Sequence, residues 1–146
     1  MKTATLQDAI AAGACYLNEP GGKEKLAKLF GRRKALTVKQ IAALKIPDVD
    51  KVWALTRFHF LNTKEKSVRF AVFCAKQCLV NREKWNADDK RLHAAIEAAK
   101  NWLANPTDSA ARSAAAAYSA ARSAAYSAAY SAQVKFLVDL LTEVNK

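Results

Sequence analysis

The chain has 146 residues, of which 51% are apolar and 25% are charged; this suits one globular domain with a hydrophobic core, and no run of about 18 apolar residues is present to cross a membrane. Its 24 Lys and Arg residues exceed the 13 Asp and Glu residues by 11, and residues 1–80 alone hold 15 basic and 6 acidic side chains, so the composition favours an anionic partner. The chain has three cysteines, and this odd number argues against a disulfide framework and indicates a reducing compartment. The N-terminal segment has no continuous apolar stretch, which argues against a secretory signal.

The first 62 residues predict several short basic helices. A first helix is expected over Thr5–Leu17, because Leu6, Ile10 and Ala14 share one side, and the turn residues 18–22 end it. A second helix over Lys23–Phe30 closes at Gly31, and an exposed basic run follows at residues 32–34.

Capping signals mark the next two helices. Thr37 with Gln40 three residues later is a capping-box pattern, which predicts a helix start at Thr37. Pro47 separates that helix from the next, for which Asp48 or Asp50 is the expected cap.

The remainder of the chain predicts three longer helices. Apolar residues recur at helical spacing from Lys64 to Trp85 and again from Leu92 to Leu103, where the turn residues 105–108 end the pattern. Ser109–Val144 is rich in alanine and predicts one long helix. No alternating strand pattern is present. We therefore expect an all-α helical bundle of about six to seven helices in a single domain, 1–146, subdivided into 1–62, 63–104 and 107–145.

A regular row of side chains decorates the Ala-rich segment. Tyr118, Arg122, Tyr126 and Tyr130 follow one another at steps of four, so the row drifts slowly around a helix, and Arg112 precedes it. One interpretation is a ligand site, in which tyrosines stack on a base and arginines bind a phosphate. The other is packing, in which tyrosines fill the space beside small alanines.

Three further residues extend the candidate ligand site. Arg57, His59 and Arg69 alternate with phenylalanines, a pattern that suits nucleotide binding but also occurs on half-buried helices. Asp89, His93 and Glu97 fall at steps of four, which favours pairing on a helix surface over a metal site.

The sequence offers no catalytic motif. Neither a nucleophile elbow, a P-loop nor a dinucleotide-binding glycine pattern is present, so we predict no catalytic residue, no metal ligand and no cofactor. A helix-turn-helix over residues 40–57 is disfavoured, because its second helix would present Val52, Trp53 and Leu55 to DNA.

Three stretches resemble a known family. They are Val68-Arg69-Phe70-Ala71-Val72-Phe73-Cys74-Ala75, then Asp88-Asp89-Lys90-Arg91, then Ala94-Ala95-Ile96-Glu97-Ala98-Ala99-Lys100-Asn101-Trp102-Leu103, followed by the Ala-rich repeat. In this order they are similar to the alanine-rich helical immunity proteins that also occur in bacteriophage genomes. The likeness covers about residues 50–140 and touches Ala12–Cys15, and it departs from the family at His93. The family has no agreed catalytic set to carry over.

The resemblance implies a setting of conflict between phage and bacterium, in the cytoplasm of the host cell. Combined with the charge, it leads us to expect a phage anti-defence protein that sequesters an anionic small molecule, a nucleotide or cyclic nucleotide immune signal, and forms a homo-oligomer. The alternatives are an immunity or inhibitor protein that neutralises an acidic toxin or host protein, a nucleic-acid-binding protein, and an enzyme that degrades the signal.

Overall fold

The structure, a computed structural model, describes residues 2–58, 60–80, 90–106 and 130–143. It is predominantly helical there, which confirms the predicted all-α class. The helices are α1 (Leu6–Ala11), α2 (Gly22–Phe30), α3 (Val38–Ala42), α4 (Asp48–Thr56), α5 (Lys64–Val80), α6 (Lys90–Ala104) and α7 (Tyr130–Thr142), with a 3-10 turn at Cys15–Asn18 and two short strands, β1 (Thr3–Thr5) and β2 (Ala35–Thr37).

These elements form two compact units. The first unit holds the described residues within Met1–Leu61 and Leu137–Lys146, and the second holds those within Asn62–Phe136. Each unit has its own buried apolar residues.

The two strands were not predicted. They pair antiparallel, with Ala4 opposite Leu36, and both of these side chains are buried. Each strand ends on a threonine that caps the following helix, Thr5 for α1 and Thr37 for α3. Three residues are too few to show an alternating pattern in the sequence, so the strand pair left no signal.

The predicted helix over Thr5–Leu17 was wrong at its C-terminal end, because Gly13 stops α1. Gly13 adopts a φ of 71°, its N–H donates to the carbonyl of Ile10, and the N–H of Ala14 donates to the carbonyl of Ala9. This is the Schellman arrangement, which satisfies the last carbonyls of a helix and turns the chain away. The 3-10 turn follows at Cys15–Asn18.

The start of α2 packs directly on that 3-10 turn. A Cβ added at Gly22 would lie 1.5 Å from the carbonyl oxygen of Tyr16, so no larger residue fits between the two segments. The observed helix confirms the prediction over Lys23–Phe30, and it buries Leu26 and Phe30. Glycine at position 22 thereby fixes where Tyr16 lies against α2.

The capping prediction held for α3 and failed for α4. Thr37 and Gln40 form the predicted capping box, with Gln40 N–H donating to the Thr37 hydroxyl at 3.3 Å. The residue before α4 is Pro47, and no side chain caps that helix. Asp48 instead pairs with Lys51, and Asp50 accepts a hydrogen bond from Tyr16.

In the second unit α5 packs against α6. Val68, Ala71, Val72 and Ala75 are buried, as their spacing predicts, and the thiol of Cys74 is buried as well. Helix α6 ends at Ala104, immediately before the predicted turn.

The first part of α7, up to Phe136, belongs to this unit and packs on α5 through aromatic stacking. The rings of Phe73 and Phe136 are stacked with centroids 4.2 Å apart and planes inclined by 8°. Of the long helix predicted over Ser109–Val144, the structure describes α7 and, after the helix has ended, Glu143; residues 109–129 and 144 lie outside the described part of the chain. In the described helices, none combines the length and the apolar content needed to cross a bilayer.

Candidate functional site

The first unit displays a run of exposed cations along α2 and the turn after it. We call this run the basic cluster; it consists of Lys23, Lys25, Lys28, Arg32, Arg33 and Lys34, all exposed. Glu24 is the only acidic residue between positions 23 and 34. Closely spaced cations on one segment produce a positive surface potential, which attracts anions.

Two members of the basic cluster have local partners. Lys25 pairs with Glu19 at 3.0 Å, but both side chains are more than half exposed, so the pair contributes little to stability. The guanidinium of Arg33 donates to the carbonyls of Phe30 and Leu29, each at 3.2 Å, and its charge suits the C-terminus of α2.

The other cations of the turn remain available to a ligand. Lys28, Arg32 and Lys34 form no ion pair with any carboxylate in the described ranges. Their positive charge is therefore not neutralised by the described part of this chain.

A partly open apolar pocket lies beside α2. Its volume is about 60 Å³. Buried core residues such as Leu26, Phe30 and Leu36 form the floor, and half-buried residues such as Leu29 and Trp53 form the mouth. The floor is apolar, so the pocket suits an apolar group.

One polar pair lies on the pocket wall. The hydroxyl of Tyr16 donates to Oδ2 of Asp50 at 2.7 Å, and both residues line the pocket. Burial, together with the hydrogen bond to Asp50, raises the pKa of Tyr16 to about 12. Tyr16 therefore stays protonated near neutral pH and holds the carboxylate in place.

Cations surround the mouth of this pocket. Arg33 contacts the backbone of the mouth residue Leu29. The guanidinium carbon of Arg57 lies 5.9 Å from the centre of the Trp53 ring, within the range of a cation–π contact. Exposed Lys45 stands between Leu44 and Ile46, which both line the pocket. The first unit thus combines an apolar pocket with a basic rim.

The residues predicted as a ligand site are only partly described. Those outside the described part of the chain are His59, Arg112, Tyr118, Arg122 and Tyr126. Arg57 belongs to the first unit, at the end of α4, and is exposed. Arg69 and Tyr130 belong to the second unit and are half-buried, on α5 and α7, the helices joined by the Phe73–Phe136 stack. The structure brings Arg57 to the pocket rim and leaves the tyrosine row a prediction.

The basic cluster could be recognised in the sequence, and the pocket could not. Residues 32–34 were predicted as an exposed basic run, whereas Tyr16 and Asp50 are 34 positions apart and share no periodic pattern. In the described ranges no three His, Cys, Asp or Glu side chains are arranged to hold a metal ion. The arrangement suits apolar and anionic groups, and its one carboxylate on the pocket wall accepts a hydrogen bond from Tyr16.

The fold and the site define a basic, α-helical protein with a small strand pair. Comparison of the chain with family models, with curated proteins and with solved structures found no match.

Proposed function

We propose that this chain is a non-enzymatic binding protein that holds an anionic partner on the basic surface of its first unit. The observation that carries the proposal is the basic cluster. Its six cations on α2 and the following turn are all exposed, and Glu24 is the only acidic residue among positions 23–34. A sequence without nucleophile or phosphate-cradling motifs supports binding without chemical change.

Among anionic partners, the geometry favours an acidic protein. The pocket beside the basic cluster has about 60 Å³, well below the roughly 150 Å³ of an apolar cavity that takes up benzene, so it offers no enclosed site for a purine ring. An acidic protein surface needs no deep pocket for its charges, since its carboxylates can pair with cations at the rim. The proposed role is that of an inhibitor or immunity protein that covers an acidic toxin or host protein.

Sequestration of a nucleotide-derived immune signal is a second proposal. It is supported by the row from Tyr118 to Tyr130, whose spacing suits base stacking and phosphate binding. Its site would lie on the Ala-rich segment and not at the pocket. Both proposals agree with the phage setting that the resemblance to helical immunity proteins implies.

One titration tests these proposals. Purified protein is titrated with poly-glutamate, a cyclic dinucleotide and duplex DNA, and affinity is measured by calorimetry. The triple variant Lys28→Glu, Arg32→Glu, Lys34→Glu is expected to bind poly-glutamate about tenfold more weakly, because it loses three exposed ion pairs that contribute roughly 0.2–1 kcal/mol each.

A charge-matched control separates site from net charge. The variant Lys76→Glu, Lys100→Glu, Lys135→Glu changes the same number of exposed lysine or arginine charges on the second unit, and it should lose much less affinity. Equal losses in both variants would reduce the effect to net charge and contradict the proposal. Tight binding of the cyclic dinucleotide, weakened by Arg122→Ala or Tyr126→Ala and with the ligand recovered unchanged, would favour the second proposal. Strongly salt-dependent DNA binding alone would indicate a nucleic-acid-binding protein.

A further inference from the structure

The pocket of the first unit has the size and the wall of a socket for one aliphatic side chain. Its 60 Å³ are well below the roughly 150 Å³ of an apolar cavity that takes up benzene, so the pocket suits the end of a leucine or isoleucine side chain better than an aromatic ring. The floor is made by buried residues from β1, α2 and β2, among them Ala4, Leu26 and Leu36. A rigid floor of this kind is preformed, so an inserted group would not have to open it.

The mouth of the pocket is apolar as well, and the residues that form it are half-buried. Leu29, Trp53 and Phe58 line it, and the rings of Trp53 and Phe58 meet edge to face with centroids 5.9 Å apart. This contact fixes the position of the two rings at the mouth. The backbone of a bound partner segment would cover the apolar surface of these rings.

The charges around the mouth select the kind of segment that can approach. Arg33, Lys45 and Arg57 stand next to mouth residues, and the basic cluster continues from there along α2. Lys45 and Arg57 form no ion pair with carboxylates in the described ranges. Of the carboxylates nearby, Glu19 pairs with Lys25, and Asp50 keeps its single negative charge while it accepts the Tyr16 hydroxyl. The rim therefore presents net positive charge to whatever enters the pocket.

We infer that the pocket receives a single aliphatic side chain from an acidic segment of a partner protein, whose carboxylates pair with the surrounding Arg and Lys residues. The inference rests on the proposed function and adds the anchor that would fix the register of the partner. A second copy of this chain is a poor occupant, because its net charge of +11 repels a basic rim. Anchored acidic segments gain specificity from the pocket and association rate from the charges.

The test uses two fluorescent peptides of alternating Asp and Glu that differ only at the centre, where one has leucine and the other serine. The leucine peptide is expected to bind about tenfold more tightly or better, since burial of a leucine side chain is worth roughly 1.5–3 kcal/mol. Binding should also shift the indole N–H resonance of Trp53, which the variant Trp53→Phe assigns.

Substitutions at the pocket separate the anchor from the charges. Ala54→Leu places a larger side chain in the half-buried mouth and should abolish the advantage of the leucine peptide over the serine peptide. Ala27→Leu, at a half-buried position of α2 that does not line the pocket, is the matched control and should keep the advantage. Leu29→Ala serves as a second pocket variant, in which a lining side chain becomes smaller. Circular dichroism verifies that each variant is folded.

The outcomes distinguish the inference from the function on which it rests. Equal binding of both peptides to the unaltered protein would overturn the socket and leave the acidic-partner proposal standing. An advantage of the leucine peptide that survives Ala54→Leu undiminished would also overturn it, because the anchor would then lie elsewhere. Failure of both peptides to bind, at any salt concentration, would overturn the socket and the acidic-partner function together.

Discussion

At the scale of single residues, the hydrogen bond between Tyr16 and Asp50 connects the 3-10 turn to α4. The two residues are 34 positions apart, and their oxygens lie 2.7 Å from each other on the pocket wall. Gly22 makes this possible, because a side chain there would displace the Tyr16 backbone. A glycine and a tyrosine with no motif between them thus determine one wall of the candidate site.

The Tyr16 hydroxyl should make stability depend on pH in the alkaline range. Its pKa is raised from 10.0 to about 12 in the folded protein, first by burial and then by the bond to Asp50. Below pH 10 both states keep the proton and the stabilisation is complete; as pH rises toward 12 the unfolded chain loses its proton first, so the free energy of unfolding falls. Urea unfolding across this range should show that decline, and Tyr16→Phe should show a smaller one.

The same variant should lose stability at neutral pH, by about 1–2 kcal/mol, because the Asp50 carboxylate loses its donor. Tyr130→Phe is the control, and it should keep the alkaline decline of the unaltered protein. An identical decline in Tyr16→Phe would mean that other groups cause it, and would contradict the role given to this hydroxyl.

At the scale of elements, α1 and α3 are too short to be stable in isolation. They have six and five residues, well below the roughly 12–15 that an independent helix needs. Each is held at its start by a capping box, and the antiparallel strand pair places the two starts at opposite ends, with Thr5 opposite Ala35 and Thr37 opposite Thr3. The threonines at positions 5 and 37 therefore act as strand residues and helix caps at once.

Loss of either cap should destabilise the first unit. Thr37→Ala removes the acceptor for the Gln40 N–H, and Thr5→Ala removes the acceptor for the Asp8 N–H. Each change should lower the free energy of unfolding by about 1 kcal/mol, seen as a lower denaturant midpoint with an unchanged slope. Thr37→Ser and Thr5→Ser keep the hydroxyl and should lose much less. Equal losses for alanine and serine would place the stabilisation in the strand packing of the threonine methyl groups.

How far these elements could be predicted depended on whether their causes are local in the sequence. The Thr37 capping box, the helix over Lys23–Phe30 and the break at Pro47 follow from residues within a few positions, and the structure confirms all three. The end of α1 was missed because Gly13 ends the helix through its backbone conformation. The alanines around Gly13 favour helix, so no side chain there marks the end.

The site divides in the same way. The cations at positions 32–34 could be read directly as an exposed run, since charged side chains between helices seldom find burial. The pocket could not, because its lining extends from Ala4 to Phe58 and arises from how the helices pack. Charge is a property of the sequence, whereas concavity is a property of the fold.

At the scale of the whole molecule, the net charge of +11 works against compactness. Self-repulsion among cations destabilises a folded chain, and it is felt most where they crowd together, as in the basic cluster. Salt shortens the range of this repulsion to a Debye length of about 8 Å at 0.15 M. If repulsion among the cations lowers stability, the folded protein should become more stable as the salt concentration rises.

We expect the melting temperature to rise when NaCl is increased from low concentration to about 0.15 M, because screening relieves the repulsion. The variant Lys28→Gln, Arg32→Gln, Lys34→Gln should melt at a higher temperature than the unaltered protein in low salt and should respond less to added salt. Arg33 is left in place, because it stabilises the end of α2. A melting temperature that falls with salt, or a destabilised variant, would mean that these cations contribute favourable interactions to the fold. If the variant is instead more stable yet binds poly-glutamate more weakly, the cluster lowers stability and serves binding, the balance typical of a functional surface.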